Sequence, residues 1–436
     1  MFFSPVLSLP AAEQPKMPEK ISWEQYLKNS AASRQAIDVF LGSPSWAQFD
    51  PELGYTQRDY LRADGIDSSS TLVTFRSNGA RTSFMYANKE ARVNTYGDSF
   101  TESEQVNDGE TWQEYLAAHL GEPIRNFGIG GYGVYQAYRR MVREEKTDHG
   151  AKYVILYVCC DDPTRSLFRA RYAQLYPWFS DQGGRLFHGN FTSHVEMDLG
   201  TGRFVEKENP LLTKKLLYHM TEPQWMLDHL KDDLALQLWV YSLGAIRDLD
   251  REKISQLAAR LDFPFDWSLE SRTGTTPNGH LEFTQTRMQV QAQALLNRYG
   301  QRATLFILDK ARAFADANRK KLLIVLNMTT DMGQSSTRDD QEILDYLVKR
   351  KFDYFDMNAV SLQDYQKAKS ALSYAEYEKQ YQVNGFGHYN ALGNHRFAYS
   401  IKDTVVKWLD PKPIPYQQPE QQTINFKGYL HGGGFH

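Results

Sequence analysis

A serine, a glycine-rich segment and a histidine stand where a hydrolytic site would need them. Ser99 lies in the turn "YGDSF", in which Gly97 lets the backbone bend sharply. A serine nucleophile needs such a turn, a base within reach and donors for the developing oxyanion. His388, in "HYNALG" near the C-terminus, is a candidate base because histidine titrates close to neutral pH. Gly, Asp and Ser are also the commonest loop residues, so "GDS" alone carries little weight.

The elements that would position these residues alternate between strand and helix patterns across residues 91–410. "AKYVILYVCCDD" and "KKLLIVLNMTT" are apolar without alternation, which is typical of strands buried in a parallel sheet. Helical patterns such as "ETWQEYLAAHLG" lie between the strands. The alternation predicts an α/β fold, a three-layer α/β/α sandwich around a mainly parallel sheet. Ligands bind such sheets at the carboxyl ends of the strands, where Ser99 and the segment "NFGIGGYG" are expected.

Three further segments flank or interrupt this alternation. Residues 1–90 form an N-terminal extension in which a helix pattern precedes short β-hairpin patterns. Residues 165–300, rich in Trp and Tyr, are predicted to be a mostly helical insertion that acts as a lid or substrate platform. Residues 411–436 form a C-terminal tail.

Composition excludes several classes of partner. The chain has 436 residues, 41% of them hydrophobic and 24% charged, with a net charge of −3. No basic field predicts binding to nucleic acid or to an anionic membrane. No apolar run approaches the ~20 residues that span a bilayer, and the N-terminal apolar run lacks the flanks of a signal peptide. We expect a soluble cytoplasmic protein, with export as the alternative.

We expect neither a cofactor nor a metal. "GIGGYG" does not have the G-x-G-x-x-G spacing of a dinucleotide site. His388 and His395 stand seven residues apart without an adjacent carboxylate, which is a poor metal site. The two cysteines are neighbours, which excludes a disulfide framework.

The order of three motifs resembles the SGNH/GDSL hydrolases. That family carries a serine in GDS, a glycine in N-x-G-x-x-G, an asparagine in G-x-N-D and a histidine in D-x-x-H; "GDS", "NFGIGG" and "HYNALG" match the first, second and fourth blocks. The resemblance covers about residues 91–410 without the insertion and implies a flavodoxin-like sandwich. It implies Ser99 as nucleophile and His388 as base in a metal-independent ester hydrolysis. It also implies the Ser99 and Gly131 amides as oxyanion donors.

The third block departs from the family at "CCDD", where Asp161 occupies the asparagine position of the oxyanion hole. An asparagine amide donates a hydrogen bond, whereas an ionised aspartate only accepts one. To donate at pH 7, Asp161 would need its pKa raised from about 3.9 to about 7. In the other interpretation Asp161 or Asp162 caps a loop or pairs with Arg165.

The fourth block departs as well, because Gly385 stands three residues before His388 where the family has an aspartate. The group that orients the imidazole is therefore open. Asn384, Asp162, a backbone carbonyl or an acid from elsewhere in the fold could take that role.

The leading hypothesis is an esterase that acts on a small-molecule or glycan ester. One alternative passes the acyl group to a sugar hydroxyl, as an O-acyltransferase. The other is a non-catalytic binding protein in which the altered third and fourth blocks mark lost chemistry. The sequence leaves the oligomeric state open.

Overall fold

The computed structural model describes residues 20–42, 46–175, 190–271, 275–277, 284–328, 338–383 and 387–417. The strands of these residues are, in chain order, β1 (Ala47–Asp50), β2 (Gly54–Gln57), β3 (Tyr60–Arg62), β4 (Thr71–Val73), β5 (Val93–Tyr96), β6 (Ile124–Asn126), β7 (Tyr153–Cys159), β8 (His194–Asp198), β9 (Arg203–Lys207), β10 (Thr275–Pro277), β11 (Thr284–Thr286), β12 (Lys321–Asn327) and β13 (Asp353–Asp356).

The α-helices of the described residues are α1 (Trp23–Asn29), α2 (Arg34–Gly42), α3 (Ser99–Glu102), α4 (Trp112–Leu120), α5 (Val134–Glu144), α6 (Asp162–Arg165), α7 (Arg171–Leu175), α8 (Pro223–Leu230), α9 (Leu234–Ser242), α10 (Arg251–Arg260), α11 (Arg287–Ala317), α12 (Gln341–Arg350), α13 (Met357–Ala368), α14 (Tyr374–Lys379) and α15 (Ala391–Trp408). None of these helices is long and apolar enough to cross a bilayer.

Five strands form one parallel sheet in the order β13–β12–β7–β5–β6. Every residue of the central strand β7 is buried, as its continuous apolar sequence predicts. The register pairs Thr95 with Asn126 and Cys159 with Asn327, so the carboxyl ends of four neighbouring strands meet at one edge. The predicted α/β fold with a parallel sheet is confirmed, and the segments that follow these strands lie side by side.

Helices cover both faces of the sheet. On one face, Trp112 of α4 and Phe397 of α15 pack with ring centroids 5.0 Å apart and share a core with Ile155 of β7. On the other face, Leu156 of β7 belongs to a second core that includes Ile307 of α11. Burying each such side chain stabilises the fold by about 1.5–3 kcal/mol. The alternation of Ile155 and Leu156 between the two cores shows that neither face of β7 is open to solvent.

The insertion at residues 165–300 contains more than helices. Strands β8 and β9 form an antiparallel hairpin that turns at Gly202, whose φ of 68° lies in the left-handed region. Helix α11 passes through the predicted boundary at residue 300 as one helix of 31 residues. At Gly300 a β-carbon would lie 2.8 Å from the backbone nitrogen of Thr164, so α11 presses directly on the segment that follows β7.

The N-terminal extension holds two helices and two small antiparallel pairs. The predicted first helix is divided into α1 and α2, and the Ser22 hydroxyl caps α1 by accepting from the backbone nitrogen of Gln25 at 3.2 Å. Strands β1 and β2 form one hairpin, and β3 pairs with β4. The β3–β4 pair and the loops beside it lie against the segment that carries Ser99, as the contacts below show.

Candidate active site

Ser99 is the first residue of α3, directly after the turn that leaves β5. A β-carbon at Gly97 would lie 2.0 Å from Thr101 Oγ1, so only glycine fits this turn. Asp98 caps α3 by accepting hydrogen bonds from the backbone nitrogens of Phe100 at 3.0 Å and Thr101 at 3.4 Å. The turn therefore fixes Ser99 at the carboxyl end of the sheet.

The structure brings Ser99 and His388 together, as the sequence predicts. Ser99 Oγ lies 2.8 Å from His388 Nε2, although 289 positions separate the two residues in the chain. His388 lies two residues before Asn390, the N-cap of the closing helix α15. The Phe100 ring packs edge-on against the imidazole with centroids 5.2 Å apart, which holds the ring plane.

Gln105 orients the imidazole, a role that the sequence did not predict. Its Oε1 lies 2.8 Å from His388 Nδ1, and its Nε2 donates to the Asp64 carbonyl at 2.7 Å. Because a backbone carbonyl oxygen can only accept, the amide nitrogen of Gln105 must face Asp64 and Oε1 must face the imidazole. Nδ1 then carries the proton, and the lone pair of Nε2 is directed at Ser99 Oγ.

The residues predicted to orient His388 do not take that role in the described part of the chain. Asp162 Oδ1 accepts from Arg165 Nη1 at 2.9 Å, and its Oδ2 accepts from the backbone nitrogen of Cys159 at 3.1 Å. The assignment of Asp162 is therefore wrong, because both oxygens serve the turn after β7. Asn384 and Gly385 lie outside the described residues.

Asp161 forms an ion pair with Arg165. Burial acts to raise the pKa of Asp161, but the guanidiniums of Arg165 and Arg171 prevail and hold it well below its usual range. An ionised carboxylate cannot donate to an oxyanion. The interpretation in which Asp161 pairs with Arg165 fits the structure, whereas its assignment as an oxyanion donor does not.

The backbone amides of Ser99 and Gly131 face no competing acceptor among the described residues. Ile129 N donates to Gly97 O at 3.1 Å, which ties the "GIGG" loop to the nucleophile turn. Gly131 has a φ of 83°, a conformation that favours glycine. Gly128 is equally constrained, since a β-carbon there would lie 2.2 Å from the backbone nitrogen of Glu102. The two free amides can serve as oxyanion donors.

Glu102 connects the N-terminal extension to the glycine loop. Its buried carboxylate accepts from Gln57 Nε2 at 2.8 Å and from the Tyr60 hydroxyl at 2.9 Å. The same carboxylate accepts from Gly130 N at 2.5 Å. Burial raises the pKa of Glu102, and these donors act in the opposite direction. The extension thus helps to hold the loop that carries Gly131.

Arg81 fixes the loop between α3 and α4. Its fully buried guanidinium donates to the carbonyls of Glu102 at 2.6 Å, Ser103 at 2.8 Å and Val106 at 2.5 Å, and it pairs with Asp108 at 2.9 Å. Two residues inside this loop have left-handed backbones, with φ of 61° at the first and 71° at the second, namely Ser103 and Gln105. Arg81 therefore holds the loop at carbonyls on both sides of Gln105.

The surroundings of His388 keep its imidazole in the neutral form. Burial lowers the pKa of His388, and the cations Arg165 and Arg62 lower it further. A neutral imidazole at pH 7 can accept the Ser99 proton without first losing one of its own.

The described residues contain no group of three or more His, Cys, Asp or Glu side chains that could hold a metal ion.

Comparison with known proteins adds no assignment, since no family model and no curated protein matches the chain.

Replacing Gln105 by alanine should lower kcat about 10²-fold, since Nδ1 loses its acceptor and neither the tautomer nor the ring orientation stays fixed. The loss should be smaller than the ~10⁴-fold effect known for the acid of a serine protease triad, because a neutral amide supplies no charge. The rate of p-nitrophenyl acetate hydrolysis measures it.

The matched variant is Gln105→Glu, which keeps an acceptor at Nδ1 and loses only the donor to Asp64. It should retain most of the activity that Gln105→Ala loses. A Gln105→Ala variant that hydrolyses p-nitrophenyl acetate as fast as wild type would show that His388 is oriented by another group.

Proposed function

We propose that the chain is a serine hydrolase that cleaves a carboxylic ester through an acyl-enzyme on Ser99, as a divergent relative of the SGNH/GDSL hydrolases. The observation that carries the proposal is the relay from Ser99 Oγ to His388 Nε2 and from Nδ1 to Gln105, with both distances 2.8 Å. This geometry lies within the hydrogen-bond reach that a nucleophile and its base require.

In the proposed reaction His388 Nε2 takes the proton of Ser99 as Oγ attacks the ester carbonyl. The oxyanion that forms is held by the amides of Ser99 and Gly131. The tetrahedral intermediate then collapses, and the imidazolium returns its proton to the departing alcohol. A water molecule repeats the sequence on the acyl-enzyme and releases the acid.

The neutral Gln105 sets this relay apart from one with an acid. It fixes the tautomer of His388, but it adds no charge to stabilise the imidazolium. In a serine protease, replacing the triad acid by its amide lowers kcat about 10⁴-fold, partly because the wrong tautomer forms. Here the bond from Gln105 Nε2 to Asp64 supports the correct tautomer, so we expect a modest esterase rather than an inactive one.

The substrate is less constrained than the reaction. The aromatic residues of the insertion suggested a platform for a glycan ester, yet Phe168, Phe191 and Trp239 are buried and belong to the core. They therefore give no support to sugar stacking. A small-molecule or glycan ester remains the proposed substrate class.

Labelling with a fluorophosphonate tests the proposal directly, because the probe reacts only with an activated serine. We expect labelling of wild type and none of Ser99→Ala. Ser103→Ala is the matched control: its buried hydroxyl directly follows helix α3, which begins at Ser99, and has no hydrogen-bond partner in the described part of the chain. The Ser103→Ala protein should label like wild type.

A well-folded wild type that does not label would contradict the proposal and favour the non-catalytic binding protein. If labelling occurs, adding a sugar acceptor during ester turnover distinguishes the remaining two reactions. Transfer products that form faster than free acid would indicate an O-acyltransferase.

A further inference from the structure

The carboxyl group of Glu104 lies beside His388, and the proposed reaction does not use it. Its Oε2 lies 3.9 Å from His388 Nε2 and has no hydrogen-bond partner among the described residues. Its Oε1 accepts from Arg62 Nη1 at 3.1 Å, which fixes the direction of the side chain. The side chain is 8% exposed, so this unpaired oxygen is more than nine-tenths buried. Such an atom needs a partner that the protein itself does not supply.

The free oxygen lies between the base and the glycine loop. A β-carbon on Gly130 would be 2.8 Å from Glu104 Oε2, so the carboxyl borders the loop that carries Gly131. An oxygen atom about 2.8 Å from His388 Nε2 can also lie about 2.8 Å from Oε2, because only 3.9 Å separates the two. In the proposed reaction the atom that receives the proton from Nε2 is the oxygen of the departing alcohol.

We propose that Glu104 donates a hydrogen bond to the alcohol oxygen of the ester as that oxygen departs, which suits the site to alkyl esters rather than phenyl esters. The inference rests on the proposed function. An alkoxide is a strong base and leaves poorly without stabilisation, whereas a nitrophenolate leaves unaided. Alkyl esters include those of sugar hydroxyls, so the proposal narrows the substrate class by its alcohol.

The step balances without a further reactant. The bond between the carbonyl carbon and the alcohol oxygen breaks, and its electron pair stays on that oxygen. The proton of His388 Nε2 moves to the same oxygen and returns the imidazole to its neutral form. Glu104 keeps its own proton throughout, donating a hydrogen bond and remaining unchanged when the alcohol leaves.

The charges around Glu104 favour the protonated form that such a donor needs. The titratable and charged groups facing it come from α3, from β2 and β3 with the loop that follows, and from the loop before α15: Glu102, Tyr55, Tyr60, Arg62, Asp64 and His388. Burial raises the pKa of Glu104 to about 8 and the neighbouring Glu102 contributes, while Arg62 acts in the opposite direction. The carboxyl is therefore mainly neutral at pH 7 and ionises as the pH rises through 8.

The experiment compares ethyl acetate with p-nitrophenyl acetate in wild type, Glu104→Gln and Glu104→Ala. Wild-type kcat/KM for ethyl acetate should fall above about pH 8, because ionised Glu104 cannot donate. Glu104→Gln keeps an N–H donor that does not titrate, so this alkaline decline should disappear. In Glu104→Ala, kcat/KM should fall about 10²-fold for ethyl acetate and much less for p-nitrophenyl acetate.

Equal losses for the two esters in Glu104→Ala, or an alkaline decline that persists in Glu104→Gln, would overturn the proposal. A rate that rises through pH 8 would also overturn it, because the ionised carboxylate would then be the active form. If Glu104→Ala does not fold, the near-isosteric Glu104→Gln and its pH profile decide alone. Fluorophosphonate labelling of the same preparations distinguishes failure of the proposed function from failure of this inference. An unlabelled wild type rejects the esterase. A labelled wild type, together with a Glu104→Ala variant in which the ratio of kcat/KM for the two esters is unchanged, rejects only the role of Glu104.

Discussion

Replacing either Ser99 or His388 by alanine is expected to lower kcat for ester hydrolysis by about 10⁴- to 10⁶-fold, and replacing both should cost no more. The two side chains act as one unit, because Oγ is a weak nucleophile until Nε2, 2.8 Å away, takes its proton. Once either partner is absent, the other has no function left to lose. The residual rate would come from the amides of Ser99 and Gly131, the proposed oxyanion donors.

Steady-state hydrolysis of p-nitrophenyl acetate measures this prediction for both single variants and the double variant. His395→Ala is the matched control, since that exposed histidine lies on α15 and packs on Tyr115 with centroids 5.1 Å apart. It should retain the wild-type rate. Losses that add in the double variant would show that Ser99 and His388 act independently and would exclude the proposed relay.

The second large effect is on stability: Arg81→Met should lower the free energy of unfolding by about 3–5 kcal/mol. The substitution leaves the Asp108 carboxylate, which is 5% exposed, without its cation. It also removes the donors from three carbonyls of the loop that follows α3. Because that loop carries Gln105, the labelling rate of Ser99 should fall as well.

Urea unfolding gives the stability change. Arg81→Met combined with Asp108→Asn should recover part of the loss, since the uncompensated charge is then gone. Arg76→Met is the control, because the exposed side chain of Arg76 donates to the Ser83 carbonyl at 2.6 Å and its replacement should change stability by no more than about 0.5 kcal/mol. Similar losses for Arg81→Met and Arg76→Met would contradict a fixing role for Arg81.

The contacts of Arg81 also indicate a role for residues 46–90, which the sequence did not predict. They form an outer wall of the site, and five of their side chains or carbonyls hold the segment from Glu102 to Asp108: Gln57, Tyr60, Arg62, Asp64 and Arg81. The local sequence pattern of the extension does not predict these contacts. It is typical of any small antiparallel layer, and the contacts form only because the sheet places the loop after α3 against the hairpins.

The parallel sheet and the positions of Ser99 and His388 could be predicted from the sequence alone. Those features depend on short-range signals, namely continuous apolar runs for buried strands and a glycine turn before a helix. The sequence also predicted the pairing of Asp161 with Arg165 as one of two interpretations, because residues four apart on a helical turn lie close together.

The groups that surround these two predicted catalytic residues come from several separate parts of the chain and could not be predicted from the sequence. Gln105 reaches His388 across 283 positions of chain, and Arg81 holds the carbonyls of Ser103 and Val106 on either side of its left-handed backbone. The unpaired oxygen of Glu104 likewise depends on burial and on Arg62. The orientation of His388 and the burial and charge balance of Glu104 depend on many groups that come into contact only when the sheet and the N-terminal extension pack together. Local sequence patterns therefore do not predict them.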